Sequence, residues 1–253
     1  MTLKTKQESR RGLKKSALLV VLVTITSFYG CSKPGITSEN FAASNVMFLN
    51  FWENAGDDPL AFHLDTSKQL NYFNDLHFTA ATEYLVVYSG NRKAWVSDNN
   101  SGDEIVSSDV KLDPDKIYSF FMAGSEASPE TVLTEDDLTR PGDNKFKVRF
   151  ANMSVGSSNV NIAIRKEDLV SLPQPQPVTT LIQGVSYKTV TPFSSVDTSS
   201  ASFTVYAISN ADTLAKVEGI KFLHNQGYTI SLAGTQNGPL GIRLVSNVNL
   251  LTY

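Results

Sequence analysis

Phe146-Lys147-Val148-Arg149-Phe150-Ala151-Asn152 alternates apolar and charged residues with a period of two. In an extended chain, successive side chains point to opposite faces. Phe146, Val148 and Phe150 therefore share one face, and Lys147 and Arg149 share the other. The same period recurs in Phe203-Thr204-Val205-Tyr206-Ala207-Ile208. It recurs again in Tyr228-Thr229-Ile230-Ser231-Leu232-Ala233-Gly234, with Tyr228, Ile230 and Leu232 inward. Asn45-Val46-Met47-Phe48-Leu49-Asn50 and Tyr84-Leu85-Val86-Val87-Tyr88 also read as strands, but with apolar residues on both faces. Turn signals separate these runs: Asn54–Asp58, Ser89–Asn91, Asp98–Gly102, Asn225–Gly227 and Asn237–Pro239. Short strands broken by such turns predict an all-β chain of the sandwich type. No long helical period follows the first thirty residues.

The strand runs repeat. Val110-Lys111-Leu112, Ile117-Tyr118-Ser119-Phe120 and Ala123-Gly124 match Ile220-Lys221-Phe222, Gly227-Tyr228-Thr229-Ile230 and Ala233-Gly234. The spacing is constant, since 220 minus 110, 228 minus 118 and 234 minus 124 each give 110. Near the front of each unit, Val46-Met47-Phe48-Leu49-Asn50 matches Val148-Arg149-Phe150-Ala151-Asn152, where 148 minus 46 gives 102. The difference is the size of a loop insertion such as Pro173-Gln174-Pro175-Gln176-Pro177. Two matches in the right order point to a tandem duplication. Module one is expected over 45–125 and module two over 145–253. A linker over 126–144 joins them, with Pro, Gly and polar residues at its ends. Within the linker, Ser128 as N-cap and Pro129 at the first position predict one helical turn over 129–133.

The N-terminus sets an address. Lys4, Lys6, Arg10, Arg11, Lys14 and Lys15 precede the apolar run Ala17–Thr26, and Gly30 stands directly before Cys31, the single cysteine of the chain. A charged n-region, an h-region and a small residue at a cleavage point make a signal peptide over 1–30. The apolar run is shorter than the ~20 residues a membrane-spanning helix needs. Ser27-Phe28-Tyr29-Gly30-Cys31 resembles the lipobox of bacterial lipoproteins, with Phe28 where that class has Leu and Tyr29 where a small residue is usual. The resemblance implies lipidation of Cys31 by three acyl chains, palmitate among them, followed by a polar tether over 31–44. Each buried methylene contributes about 0.8 kcal/mol, so several chains make a stable anchor. No aspartate follows Cys31, which in such lipoproteins implies the outer membrane. The periplasmic face is expected first, with the cell surface as the alternative.

Composition narrows the rest. The chain has 253 residues and a net charge of −3, and removing the basic n-region leaves it more acidic. An acidic body with no basic stripe argues against nucleic acid as a partner. With one cysteine, no disulfide forms within the chain, so stability rests on burial, for which 14 Phe, 9 Tyr and 2 Trp supply large side chains.

Glu135-Asp136-Asp137-Leu138-Thr139-Arg140-Pro141, followed by Lys147-Val148-Arg149-Phe150-Ala151-Asn152-Met153-Ser154, resembles the joint between two units of an uncharacterised bacterial family, domain of unknown function 4397. Gly184-Val185-Ser186-Tyr187, Thr191-Pro192-Phe193 and Gly227–Gly234 continue the resemblance. It is clear across module two and fainter across module one, where Met47 takes the place of Arg149. The resemblance implies tandem immunoglobulin-like sandwiches on envelope proteins. It implies no catalytic residues.

Chemistry is sparse. His63, His77 and His224 are not spaced to share a metal, and His224 falls in a turn. Gly156-Ser157-Ser158 lacks the pattern of a nucleophile elbow. Asp98-Asn99-Asn100-Ser101-Gly102-Asp103-Glu104 places Asp103 and Asp109 where a calcium loop needs Gly and Glu, so a hairpin turn is expected there. Glu135-Asp136-Asp137 reads as a solvated acidic cluster. Trp52 and Trp95 are the candidate ligand-binding residues, as a stacking platform for sugars; aromatics at strand positions are more often core. No motif asks for a cofactor or a metal. The expectation is a non-catalytic envelope lipoprotein, not an enzyme. Its partners would be the membrane, through Cys31, and envelope proteins or glycans. Glycan binding is the alternative function, and a hydrolase built from scattered residues stands behind it.

Overall fold

The computed structural model describes residues 42–53, 58–65, 71–167, 177–197, 202–235 and 240–247. The signal peptide, Cys31 and the tether lie outside the described residues, as does most of the Pro/Gln stretch. Among the described residues the regular structure is all strand. The chain runs β1 (Ala43–Asn50), β2 (Leu60–Leu64), β3 (Asn71–Leu76), β4 (Leu85–Tyr88), β5 (Gly90–Asp98), β6 (Glu104–Leu112), β7 (Ile117–Ser125) and β8 (Ser128–Glu135). It continues with β9 (Lys145–Asn152), β10 (Val160–Glu167), β11 (Val178–Val185), β12 (Thr189–Val190), β13 (Ser194–Asp197), β14 (Ser202–Ser209), β15 (Asp212–Ile220), β16 (Gly227–Ala233) and β17 (Gly241–Asn247).

These strands make two immunoglobulin-like sandwiches with one topology. The first pairs a β4-β1-β7-β8 sheet with a β3-β2-β5-β6 sheet. The second pairs a β12-β9-β16-β17 sheet, with β13 also on β9, with a β11-β10-β14-β15 sheet. The duplication holds to the residue. β1 runs parallel to β7 with Val46 opposite Tyr118. β9 runs parallel to β16 with Val148 opposite Tyr228. Those partners are separated by the same 102 and 110 residues as the sequence motifs.

Local hydrogen bonds repeat too. The Asp113 N–H donates to the Tyr118 hydroxyl at 3.0 Å, and the Leu223 N–H to Tyr228 at 3.0 Å. Thr82 accepts from the Phe48 N–H, and Thr191 from the Phe150 N–H, each at 3.0 Å. Asn50 and Asn152 each accept a backbone N–H two residues on, and each donates its amide across to a carbonyl. Gly124 and Gly234 both sit at φ +101°. A Cβ at Gly124 would come within 2.2 Å of the Ser128 carbonyl oxygen, so the β7–β8 turn closes only over glycine.

Each sandwich has its own core. Val46, Phe48, Phe62, Val96 and Phe120 fill the first, and Phe146, Val148, Phe150, Val205 and Ile230 fill the second. A third cluster lies between them: Met47, Leu49, Phe51, Tyr84 and Phe121 from the first sandwich meet Ala151, Met153 and Ala233 from the second. The β1 and β9 sheets therefore pack back to back as inner layers. This explains the two-sided apolar pattern of β1. Val46 and Phe48 face the sandwich core, while Met47 and Leu49 face the other sandwich.

The segment 126–144 differs from its sequence reading. The predicted helical turn at 129–133 is absent, and β8 occupies its place, paired with β7 from Tyr118–Glu135 to Ser125–Ser128. Pro129 is tolerated because β8 is an edge strand, where a missing N–H breaks no second ladder. Half-buried Val132 and Leu133 pack on two different clusters, which a solvent-exposed turn would not allow.

Candidate functional site

The joint between the sandwiches holds the most deeply buried ionic group of the described residues. Arg149 projects from β9 toward the first sandwich and is 1% exposed. Asp136 follows β8, and its side chain is fully buried. The Arg149 Nη1 donates to Asp136 Oδ1 at 2.5 Å, and Nη2 to Oδ2 at 3.2 Å, a bidentate pair. Arg149 Nη2 also donates to Ser119 Oγ at 2.7 Å, and Nε to Thr229 Oγ1 at 2.8 Å. Its guanidinium lies 4.5 Å from the Phe193 ring centroid and 5.8 Å from that of Phe121.

The circuit closes through neutral groups. Tyr84 donates its hydroxyl to Asp136 Oδ2 at 2.5 Å, and Ser119 donates to the same oxygen at 2.6 Å. Thr229 donates to Asn247 Oδ1 at 2.6 Å, and Asn247 donates to the Tyr84 hydroxyl at 2.8 Å. Burial, and then the Asp136 carboxylate, push the Tyr84 phenol far above its ordinary pKa, so it stays protonated as a donor. Tyr84 and Ser119 come from the first sandwich, Asp136 from the segment directly after β8, and Arg149, Thr229 and Asn247 from the second sandwich. A buried ion pair of this kind is stable only when its other donors and acceptors find partners, and here four of the five Arg149 N–H groups and both Asp136 oxygens are hydrogen-bonded.

Two further contacts flank it. Lys147, also buried, donates to Asp137 Oδ2 at 2.9 Å, to the Asp137 carbonyl at 3.2 Å and to Thr139 Oγ1 at 2.8 Å, fastening the linker to β9. The Thr139 hydroxyl, then Lys147, holds the Asp137 carboxyl down to about 2. At the other end, Tyr187 and Lys188 of the second sandwich reach Glu130 on β8 at 2.8 and 2.7 Å. The Lys188 ammonium holds Glu130 below its ordinary range. Burial and Glu130 together push Tyr187 up.

The acidic run Glu135-Asp136-Asp137 is therefore not the solvated cluster that its charge pattern predicts. Its middle residue is the buried counter-charge of Arg149. Sequence alternation placed Lys147 and Arg149 on the polar face of β9. That face is covered, because β9 lies in an inner layer. The available signal was the two-sided apolar pattern of β1, which requires something to cover Met47 and Leu49.

The other candidates fall elsewhere. Trp52 is buried in the first core and donates its indole N–H to the Ser125 carbonyl at 2.8 Å, so it offers no open ring face. Trp95 is half-buried on β5. It stacks on His63 with centroids 3.7 Å apart and planes at 10°, and donates to the Asp65 carbonyl at 2.9 Å. His63 is within hydrogen-bond distance of Ser97 Oγ, at 2.9 Å. The structure does not bring Trp52 and Trp95 onto one platform. His77 lies 3.4 Å from Asp75, and His224 sits in a turn. Asp98 to Gly102 forms the β5–β6 hairpin turn, with Asp98 Oδ1 accepting the Asn100 and Ser101 N–H groups at 2.7 Å. Among the described residues no group of three or more His, Cys, Asp or Glu side chains is placed to hold a metal. None of their helices is long and apolar enough to cross a membrane. Cys31 lies outside the described residues.

With this geometry in view, residues 44–163 match the family model described as Domain of unknown function (DUF4397). The match takes in the first sandwich, Asp136, Arg149 and the opening of β10. It leaves Gly184–Tyr187, Thr191–Phe193 and Gly227–Gly234 outside, so the family likeness is centred on the first module and the joint and not on the second module. No curated protein matches the chain.

Solved structures with some likeness include the CBM26 module from Eubacterium rectale Amy13K in complex with maltoheptaose. It is 12% identical, covers 82% of this chain and 98% of its own, and has a TM-score of 0.26. A candidate cell adhesion protein from Bacteroides ovatus is 8% identical, with coverage of 81% and 96% and a TM-score of 0.27. The tip fimbrial protein Mfa3 from Porphyromonas gingivalis is 10% identical, with coverage of 81% and 99% and a TM-score of 0.25. Superposition at this level transfers no binding property.

Proposed function

We propose that this chain is a non-catalytic lipoprotein of the cell envelope, held to the outer membrane by acyl chains on Cys31. Its two sandwiches act as one rigid binding body for envelope proteins. The joint is the observation that supports this reading. The most buried charges of the described residues, Asp136 and Arg149, are spent on each other and on the hydroxyls of Tyr84, Ser119 and Thr229. They hold the two modules to each other. Rigid sandwiches present loops and edge strands to partners at low ordering cost.

The test is capture from solubilised envelope with the purified chain as bait. A specific partner, recovered less well by Asp136→Asn, is expected. Recovery of no specific protein would contradict the reading. Lipid attachment is checked by mass spectrometry of the mature N-terminus. Triacylated Cys31 is expected, and an unmodified N-terminus would remove the anchor.

Glycan binding at Trp95 is a second reading. It is favoured by the half-buried indole that rests on His63. Glycan-array binding lost in Trp95→Ala, with the fold intact, would support it. Trp52→Ala cannot serve, because it removes a core side chain.

A further inference from the structure

Edge strands invite pairing with other strands, and proteins usually blunt them with charge, proline or short length. Most edges of this molecule follow that rule. β3 carries Asp75, β6 carries Glu104, Asp109 and Lys111, and β8 carries Glu130, Glu135 and Pro129. β15 carries Asp212, Lys216 and Glu218, β17 carries Arg243 and β13 ends on Asp197. β12 is two residues long. β4 is uncharged but only four residues long, and its Tyr88 carbonyl already accepts the Arg92 Nε–H at 3.1 Å.

β11 is the exception. It is eight residues long, reads Val-Thr-Thr-Leu-Ile-Gln-Gly-Val, and has neither a charge nor a proline. Val178 is 49% exposed, and Thr179, Thr180 and Gln183 are exposed with it. Among the described residues only its other side is paired, to β10. The composition is that of a strong strand former: β-branched, uncharged and without proline.

We propose that β11 is a self-association edge, which pairs antiparallel with β11 of a second copy of this chain. A two-fold contact sets a strand against itself, so any net charge on the edge meets the same charge on the copy. β3, β6, β8, β13, β15 and β17 each carry such a charge, and β11 carries none. The register with β10 is unbroken only over Val178–Thr180, opposite Arg165, Ile164 and Ala163, and shifts beyond it. The new pairing therefore centres on Val178–Thr180, and so short a contact makes a weak dimer. The proposal deepens the binding-body reading by naming one edge and its partner. Its failure would leave capture of other envelope proteins untouched.

The test is a cysteine series in the full chain: Val178→Cys, Thr179→Cys and Thr180→Cys. Thr213→Cys on β15 and the unsubstituted chain, which reports Cys31, are the controls. Directly opposed residues in an antiparallel pair have Cα atoms about 4.5–5.5 Å apart, within disulfide reach. The expected result is a homodimer on mild oxidation at one position of the three, several times the control yield, lost when lysine is added at a neighbouring position of the contact, as in Thr179→Cys with Thr180→Lys. Yields equal to the controls throughout, or cross-linked products of another mass, would overturn the proposal. Hydrogen exchange of the unsubstituted chain needs no variant to fold. The amides of Val178–Thr180 should exchange more slowly as the chain is concentrated, and unchanged exchange would also overturn the proposal.

Discussion

The two sandwiches share strand order, register, tyrosine-capped turns and paired asparagines, yet they differ on the face where they meet. Met47 on β1 and Arg149 on β9 occupy equivalent positions, and so do Leu49 and Ala151. Phe121 on β7 corresponds to Ser231 on β16. The first sandwich gives the joint a largely apolar face, and the second a small, polar face carrying two buried cations, Lys147 and Arg149. Duplication alone would make two identical faces. The difference shows that features needed for each fold are kept in both copies, while the joint is built from residues that differ.

The largest effect should come from breaking that asymmetry at its charge. Asp136→Asn leaves Arg149 buried without a counter-ion, and removing one partner of a buried pair costs about 3–5 kcal/mol. Urea unfolding should show that loss, against a small loss for exposed Asp212→Asn. Arg149→Met with Asp136→Leu makes the second joint face resemble the first. Replacing both charges by apolar groups is often neutral. The double variant should therefore recover most of the stability that Asp136→Asn loses. A double variant less stable than Asp136→Asn would mean the pair itself, and not its completeness, holds the joint.

Matched substitutions probe what the copies share. Tyr118→Phe and Tyr228→Phe each remove the acceptor of one backbone N–H, worth about 1 kcal/mol. Equal losses by thermal unfolding are expected. Unequal losses would show that the turns are alike in geometry only.

The smallest effect is at low pH. Asp137 and Glu130 both have folded-state pKa values below those of the unfolded chain. Their contribution is therefore present above the ordinary carboxylate range. It is lost as pH falls through the folded values, for Asp137 from about 4 toward about 2. Asp137→Asn should flatten that limb of a urea-midpoint profile. The effect is modest, because the Asp137 side chain is 62% exposed.

Much of this was legible in the sequence. Period-two alternation located β9, β14 and β16, because their inward residues are aromatic or branched and their turns are marked by Asn and Gly. The repeat was legible because register preserves spacing, so constant offsets survive where identities do not. The joint was less legible. Alternation tells which residues share a face but not what covers it, and a strand in an inner layer has two covered faces. Arg149 therefore reads as a polar-face residue and Asp136 as one of three surface acids, although they lie only thirteen residues apart. β8 was hidden for another reason. Ser128-Pro129 suits a helix start as well as an edge strand, and only pairing with β7 decides between them. Trp52 and Trp95 look alike in sequence, but Trp52 lies in the segment after β1 and turns into the first core, while Trp95 on β5 is half-exposed.

The account stands on the two sandwiches behaving as one body through the Asp136–Arg149 joint. Residual dipolar couplings of backbone amides in the weakly aligned chain test this most directly. Couplings from 43–135 and from 145–247 should fit a single alignment tensor. Two tensors of different magnitude or rhombicity would contradict it.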